Sequence, residues 1–167
     1  MHSHVRLLVV GDSDDATEET AQLLAALRSD PRVHLHGADW DTPPLYSVMD
    51  LLVLPTYREG FPNVLLEAAS MGVPVVATAV AGCVDAVAHE RTGLIVPAHD
   101  AVALAAAMNR YVADASIRRA HGEAARARVL ARFDQRVIWT GLRELYVTGD
   151  LRTKTLQSDT GFARRAA

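Results

Sequence analysis

Two glutamates with a bend between them carry most of the chemistry this sequence can offer. Glu59 and Glu67 stand with seven residues between them, and Gly60-Phe61-Pro62-Asn63 leads from the first into the run Val64-Leu65-Leu66 before the second. Gly60 lets the backbone approach a ligand closely, and Pro62 presets the chain direction and removes one amide donor. From Asn63 onward the residues are mostly good helix formers, and Gly72 reads as the stop. A helix start offers unpaired N–H groups and about half a unit of positive charge, which suits a phosphate. Glu67 falls roughly 6 Å along that helix from Asn63, at about 1.5 Å per residue. A carboxylate there can accept hydrogen bonds from a pair of hydroxyls such as a ribose diol. Glu59 can do the same for a second sugar on the far side of the phosphates. The plain alternative is a turn glutamate followed by a solvated helix glutamate, the usual state of two arbitrary glutamates.

The elements that must position this stretch alternate along the chain. Apolar runs over 5–10, 33–36, 51–54, 73–77 and 94–96 read as strands, the first of them as a buried one. Helices are expected over 16–28, with Asp15 or Ser13 as N-cap and Glu18 and Glu19 in the first turn. Shorter ones are expected over 45–49 and 86–89, the latter capped by Asp85. From Ala101 the chain turns to helix only: 101–113, then 115–131 capped by Asp114, then a third after Phe133-Asp134. That third helix carries Val137, Ile138, Leu142, Leu145 and Tyr146 on one stripe. Strands alternating with helices predict an open parallel α/β sheet, in which ligands bind beyond the carboxyl ends of the strands. The Glu59–Glu67 stretch follows the strand over 51–54 and is placed accordingly.

The same stretch, Glu59-Gly60-Phe61-Pro62-Asn63-Val64-Leu65-Leu66-Glu67-Ala68, resembles the Glu-x7-Glu motif of the retaining GT-B glycosyltransferases of family 4 (glycosyl transferases group 1). The flanks are similar too: Asp50-Leu51-Leu52-Val53-Leu54-Pro55 before it, Gly72-Val73-Pro74-Val75-Val76-Ala77-Thr78 after it, then Ala81-Gly82-Cys83-Val84-Asp85 and Thr92-Gly93-Leu94-Ile95-Val96-Pro97. The likeness runs over roughly residues 5–147 in family order. It implies a Rossmann-like C-terminal half of the GT-B fold, ending in helices. It also implies transfer of a hexosyl group from a nucleotide-sugar donor to an acceptor sugar or lipid-linked glycan, with retention. By that resemblance Glu59 is the catalytic-site residue that orients the donor sugar through its hydroxyls. Gly60, Phe61, Pro62, Asn63 and Val64 line the sugar and phosphates, and Glu67 holds the ribose. Gly37, Ala38 and Asp39 border the base, and Gly82 lies close to the donor sugar. The leaving phosphate serves as the base toward the acceptor, and neither a metal nor a cofactor is implied. The wording of the motif leans toward bacterial polysaccharide biosynthesis.

The resemblance also exposes departures. The family opens this domain with a strand and a loop carrying an Arg and, a few residues on, a Lys that neutralise the diphosphate; residues 1–147 resemble the domain without them. That leaves a gap between the strands over 5–10 and 51–54, to be closed by direct pairing, by another chain, or not at all. The expectation is therefore a donor-binding half with little or no activity alone, completed by an N-terminal GT-B domain or a partner chain. The third C-terminal helix resembles the segment that crosses to that other domain, so its stripe is expected to be partly exposed as a docking surface. Two alternatives stay open: a non-catalytic nucleotide-sugar-binding subunit that works with a partner, and a GT-B nucleotide-sugar epimerase, for which no acid/base residues can be named.

Composition bounds the rest. Half of the 167 residues are apolar and few are aromatic, so the core must be built from Ala, Val and Leu. The formal net charge of −3 gives no reason to expect nucleic acid. One cysteine, Cys83, excludes an internal disulfide and suits a reducing, cytoplasmic compartment. No apolar run approaches the roughly 20 residues of a bilayer span. Asp12, Asp14 and Asp15 lack the glycine and terminal glutamate of a calcium loop. His34 and His36 share a strand face without a third ligand. Cys83 has no base beside it in sequence that would make it a nucleophile. Trp40 reads as a loop anchor, with stacking on a ring as the alternative. Arg118, Arg119, Arg126 and Arg128 read as a solvated helix face, with peripheral contact to anionic lipid as the alternative. Residues 148–167 are polar and aperiodic and read as a disordered tail.

Overall fold

A computed structural model describes residues 4–12 and 17–148 of the chain. It comprises two compact units, Met1–Pro44 and Leu45–Ala167. The expected tail lies outside the described residues, apart from Thr148.

In the first unit β1 (Leu7–Val10) pairs in parallel with β2 (Val33–Gly37), and α1 (Glu18–Ser29) connects them. The helix starts later than expected. Thr17 is its N-cap and accepts from the Thr20 amide at 3.2 Å, while Ser13 and Asp15 lie outside the described residues. Glu18 and Glu19 occupy the first turn as expected, where their charge favours the positive end of the helix. The apolar run of β1 is not buried: Leu7 and Val10 are exposed and the two residues between them only half-buried. The physical reason is supply, since two strands and a helix with no buried residue offer too little surface to cover it. His34 and His36 do share a face, the exposed one, as the alternating pattern of β2 requires.

The second unit holds α2 in its C-terminal part (Pro43–Ser47), β3 (Leu52–Leu54), α3 (Asn63–Ser70), β4 (Val75–Thr78), α4 (Ala81–Ala86) and β5 (Gly93–Val96). Three further helices follow, α5 (Ala101–Ala113), α6 (Ala115–Arg132) and α7 (Gln135–Thr148). Strands β3, β4 and β5 form a parallel sheet in that order, with Leu52 against Val75 and Val75 against Gly93. Among the described residues β1 pairs only with β2, and β3 only with β4.

Every residue of β4 and β5 is buried, and successive side chains serve opposite faces. Val75, Ala77 and Ile95 join one core with Leu65, Ala68, Cys83 and Tyr46; Val76, Leu94 and Val96 join the other with Ala107 and Tyr111. Small and branched aliphatics dominate both, as composition demanded, but a tyrosine is buried in each.

Two short helices depart from expectation. The helix expected over 45–49 starts two residues earlier because Pro43 and Pro44 are accommodated in a first turn, where no amide is needed. The helix expected over 86–89 is instead α4, which opens at Ala81 directly after β4. Asp85 is thus inside it and exposed, not its cap. Past Ala86 the chain is drawn into a turn: Val87 is extended, the Ala88 amide donates to Thr92 Oγ1 at 2.9 Å, and Glu90 takes a positive φ of 62°. Asp114 caps α6 as expected, accepting from the amides of Ser116 and Ile117.

The basic helix α6 is not a uniformly solvated face. Arg118 donates to the Tyr111 carbonyl, and Arg128 donates to the Asp85 carbonyl at 3.1 Å while lying over the Phe133 ring at 5.3 Å. Arg119 and Arg126 are exposed. Gly122 is the reason α6 fits so closely: a Cβ there would come to 3.0 Å from the Gly72 carbonyl carbon and 3.4 Å from Pro74 Cδ. Gly72 in turn needs its positive φ of 75° to end α3.

Candidate functional site

The loop between β3 and α3 leaves the carboxyl end of the sheet, the end at which open α/β sheets bind ligands. Its first part is fixed by hydroxyls. The buried Thr78 hydroxyl donates to the Thr56 carbonyl, tying the ends of β4 and β3 together. Thr56 Oγ1 also accepts from the Arg58 amide at 3.4 Å, which makes the turn into Glu59. Arg58 itself is exposed.

Pro62 is the N-cap of α3, extended at φ −78° and ψ 104°, and no side chain caps the helix start. The usual Ser, Thr, Asp or Asn at this position would have filled the place of an anion. The helix is anchored by Leu65, Ala68 and Ala69, which are buried, so Asn63 and Val64 face outward. Gly60 and Phe61 are exposed and Pro62 buried, so the loop turns one edge to solvent and one to the core.

Gly82 holds the other side. A Cβ on it would lie 2.7 Å from the Gly60 carbonyl carbon and 2.9 Å from Phe61 Cα, closer than side chains pack. The first turn of α4 therefore lies directly against the bend of the loop, and glycine at 82 is what admits it. Phe61 leans on Phe133 at the end of α6, with ring centroids 5.7 Å apart. Glu59 is half-buried, and its negative charge reaches Cys83. Burial first, and that charge second, push the Cys83 thiol up to about 11. Cys83 is fully buried and stays a thiol at neutral pH, so it is a packing residue.

Glu67, one turn into α3, is half-buried and accepts a hydrogen bond from the Tyr46 hydroxyl, which lies 2.8 Å from its Oε2. Tyr46 is only 5% exposed, and burial, reinforced by the Glu67 hydrogen bond, drives its pKa above the usual phenol range. Neither Tyr46 nor Phe133 is singled out by reading the sequence. Each touches the motif across a gap too long for any local spacing rule, 21 residues for Tyr46. A buried tyrosine needing a partner for its hydroxyl was the one available hint.

The structure thus gathers Glu59, Gly60, Phe61, Pro62, Asn63, Val64, Glu67 and Gly82 around one loop and two helix starts. Gly37, Ala38 and Asp39 belong to the first unit, where Gly37 ends β2 and Ala38 and Asp39 begin the loop after it. Gly37 has a positive φ of 78°, and the Ala38 amide donates to Asp12 Oδ1 at 3.3 Å. Asp39 contacts His36 Nε2 at 3.0 Å and accepts from the Asp41 amide at 2.9 Å. The His36 contact, then the Asp41 amide, hold its carboxyl below the ordinary range. Trp40, expected to anchor that loop, is 100% exposed. The polar work of anchoring is done by Asp12 and Asp39, so the indole has nothing to hold. Among the described residues no group of three or more His, Cys, Asp or Glu is placed to hold a metal ion. None of the described helices is long and apolar enough to cross a membrane.

Comparison with known proteins identifies the family and the fold. The family described as Glycosyl transferases group 1 matches residues 1–114. The chain is 36% identical, over 87% of its length and 38% of the relative's, to the capsular polysaccharide biosynthesis glycosyltransferase CapM of Staphylococcus aureus. Among solved structures it is similar to sucrose-phosphate synthase from Thermosynechococcus elongatus, with 35% identity and a TM-score of 0.76 over 86% of this chain and 38% of that one. Anabaena HepE in complex with UDP gives 28% identity and a TM-score of 0.79 over 86% of this chain and 41% of that one. The chain spans well under half the length of these three proteins.

Proposed function

The chain belongs to the glycosyl transferases group 1 family, and from that membership we propose that it is the donor-binding half of a retaining glycosyltransferase that uses a nucleotide-activated sugar. The observation that carries the reading is the pairing of an uncapped helix start at Pro62 with half-buried carboxylates, Glu59 ahead of it and Glu67 one turn inside it. The bare amides and the positive end of α3 suit a diphosphate. Glu67 suits the diol of the nucleoside, and Glu59 the hydroxyls of the transferred sugar. As the bond to the sugar breaks, charge builds on the diphosphate, and donors already aimed there stabilise it without reorganising. Glu59 orients the sugar so that the leaving phosphate can take the acceptor's proton on the same face, which gives retention. The HepE relative, whose structure holds UDP, supports a nucleoside diphosphate as the common element.

The chain's share of its relatives' length favours a division of labour. The acceptor site belongs to a further domain or chain, and the exposed face of α7, with Val137, Ile138 and Leu142, offers a surface for it. Calorimetry of the 167-residue chain against UDP-, GDP- and ADP-sugars tests the reading. One nucleotide class is expected to bind with little or no turnover. Absence of binding by all three would remove the donor role, and robust transfer by the chain alone would remove the division of labour.

A further inference from the structure

We propose that Tyr46 is a positioning residue of the ribose-binding carboxylate: its hydroxyl locks Glu67 in the orientation that receives the diol. The inference rests on the donor-binding reading above. Glu67 stands half-buried on α3 with three rotatable bonds ahead of its carboxylate. Left to itself such a side chain must be immobilised by the ligand, and immobilising it costs about 0.5–1.5 kcal/mol of binding. The Tyr46 hydroxyl, 2.8 Å from Oε2, removes that cost in advance.

The donor is itself immovable. Its ring is packed in the same core as Leu65, Ala68 and Val75, the residues that seat α3 and β4. Burial and the adjacent carboxylate keep the phenol protonated throughout the physiological range, so it can only donate here. An ionised carboxylate has about four lone-pair sites, which accommodates the phenol and a pair of ligand hydroxyls together. The ring fills the core whether or not it bears oxygen, so packing and orientation separate cleanly in one variant, Tyr46→Phe.

The test is calorimetry of the parent chain and Tyr46→Phe with UDP, GDP and ADP, and with the 2′,3′-dideoxy form of whichever binds. The parent is expected to prefer the ribonucleotide. Tyr46→Phe is expected to weaken the ribonucleotide about 2- to 12-fold, the range that corresponds to the orientation cost, and to leave the dideoxy form unchanged. The dideoxy affinity is also the folding control, measured in the same sample. Equal losses for both ligands would make Tyr46 a packing residue only, and no loss for either would leave its hydroxyl without a role; both overturn the inference. A parent chain that binds no nucleotide fails at the donor reading, and one that binds ribo- and dideoxynucleotides alike fails at Glu67. Each is a different result from failure at Tyr46.

Discussion

Substituting Gly82 by Ala should disturb the loop between β3 and α3 from behind. The added Cβ would stand 2.7 Å from the Gly60 carbonyl carbon and 2.9 Å from Phe61 Cα, several tenths of an ångström inside ordinary contact. Both neighbours are backbone atoms, so no side chain can swing aside. Either α4 or the loop must shift, against a β4–β5 core that is fully buried. Overpacking of this kind costs about 1–3 kcal/mol. For a chain of this size each kcal/mol lowers the melting temperature by about 2–4 °C, so a fall of about 2–12 °C is expected. Nucleotide affinity should fall as well, because Gly60 and Phe61 move. Gly60→Ala is the matched control from the other side of the same contact. A Cβ at Gly60 meets nothing within 4 Å, so its melting temperature should stay near the parent's while donor affinity drops. Scanning fluorimetry and calorimetry on the two variants read both quantities. The reasoning is refuted if Gly82→Ala melts with the parent, or if Gly60→Ala is the more destabilised of the two.

Three further outcomes follow from the same structure. Gly122→Ala, which at an ordinary helix position would add up to about 1 kcal/mol of stability, should lower the melting temperature instead, since the new methyl meets the Gly72 backbone beneath α6. His121 is buried with its Nδ1 2.7 Å from the Tyr111 hydroxyl, and burial holds its pKa below the usual histidine range. The unfolded chain takes up that proton near about pH 6.5 and the folded chain does not, so its contribution is present above that pH and is lost as pH falls toward the depressed folded value. The urea midpoint should therefore drop between pH 7.5 and 5.5 by more in the parent than in His121→Gln; equal drops would show that His121 titrates normally. Cys83, buried and pushed up to about 11, should resist a thiol reagent at pH 8 until the chain is unfolded, and fast labelling of the native protein would contradict its burial.

Much of the second unit could be read from sequence because its signals are local. The apolar runs of β3, β4 and β5, the glycine that ends α3 and the Asp114 cap each act within a few residues of themselves. The glutamate pair is local in the same sense. What could not be read depends on partners distant in the chain. Gly82 looks permissive until Gly60 is found against it, and Tyr46 looks like a core aromatic until Glu67 is found at its hydroxyl. Arg118 and Arg128 read as solvated because charge on a helix usually is, but the carbonyls of Tyr111 and Asp85 lie within their reach. Trp40 errs in the opposite direction, since a large ring in a loop normally finds cover and here finds none. The exposure of β1 has the same origin: hydrophobicity records what a residue favours, and the surrounding elements decide how much cover exists.

Glu67→Ala, titrated beside the parent chain with the nucleoside diphosphate that binds best, tests the central claim most directly. Loss of charge-assisted hydrogen bonds worth about 1.5–3 kcal/mol predicts an affinity about 10- to 150-fold weaker, and the buried Tyr46 hydroxyl, left without its acceptor, lowers the melting temperature as well. Identical isotherms for the two proteins would mean that the carboxylate one turn into α3 never touches the ligand, and the account of the site would be wrong.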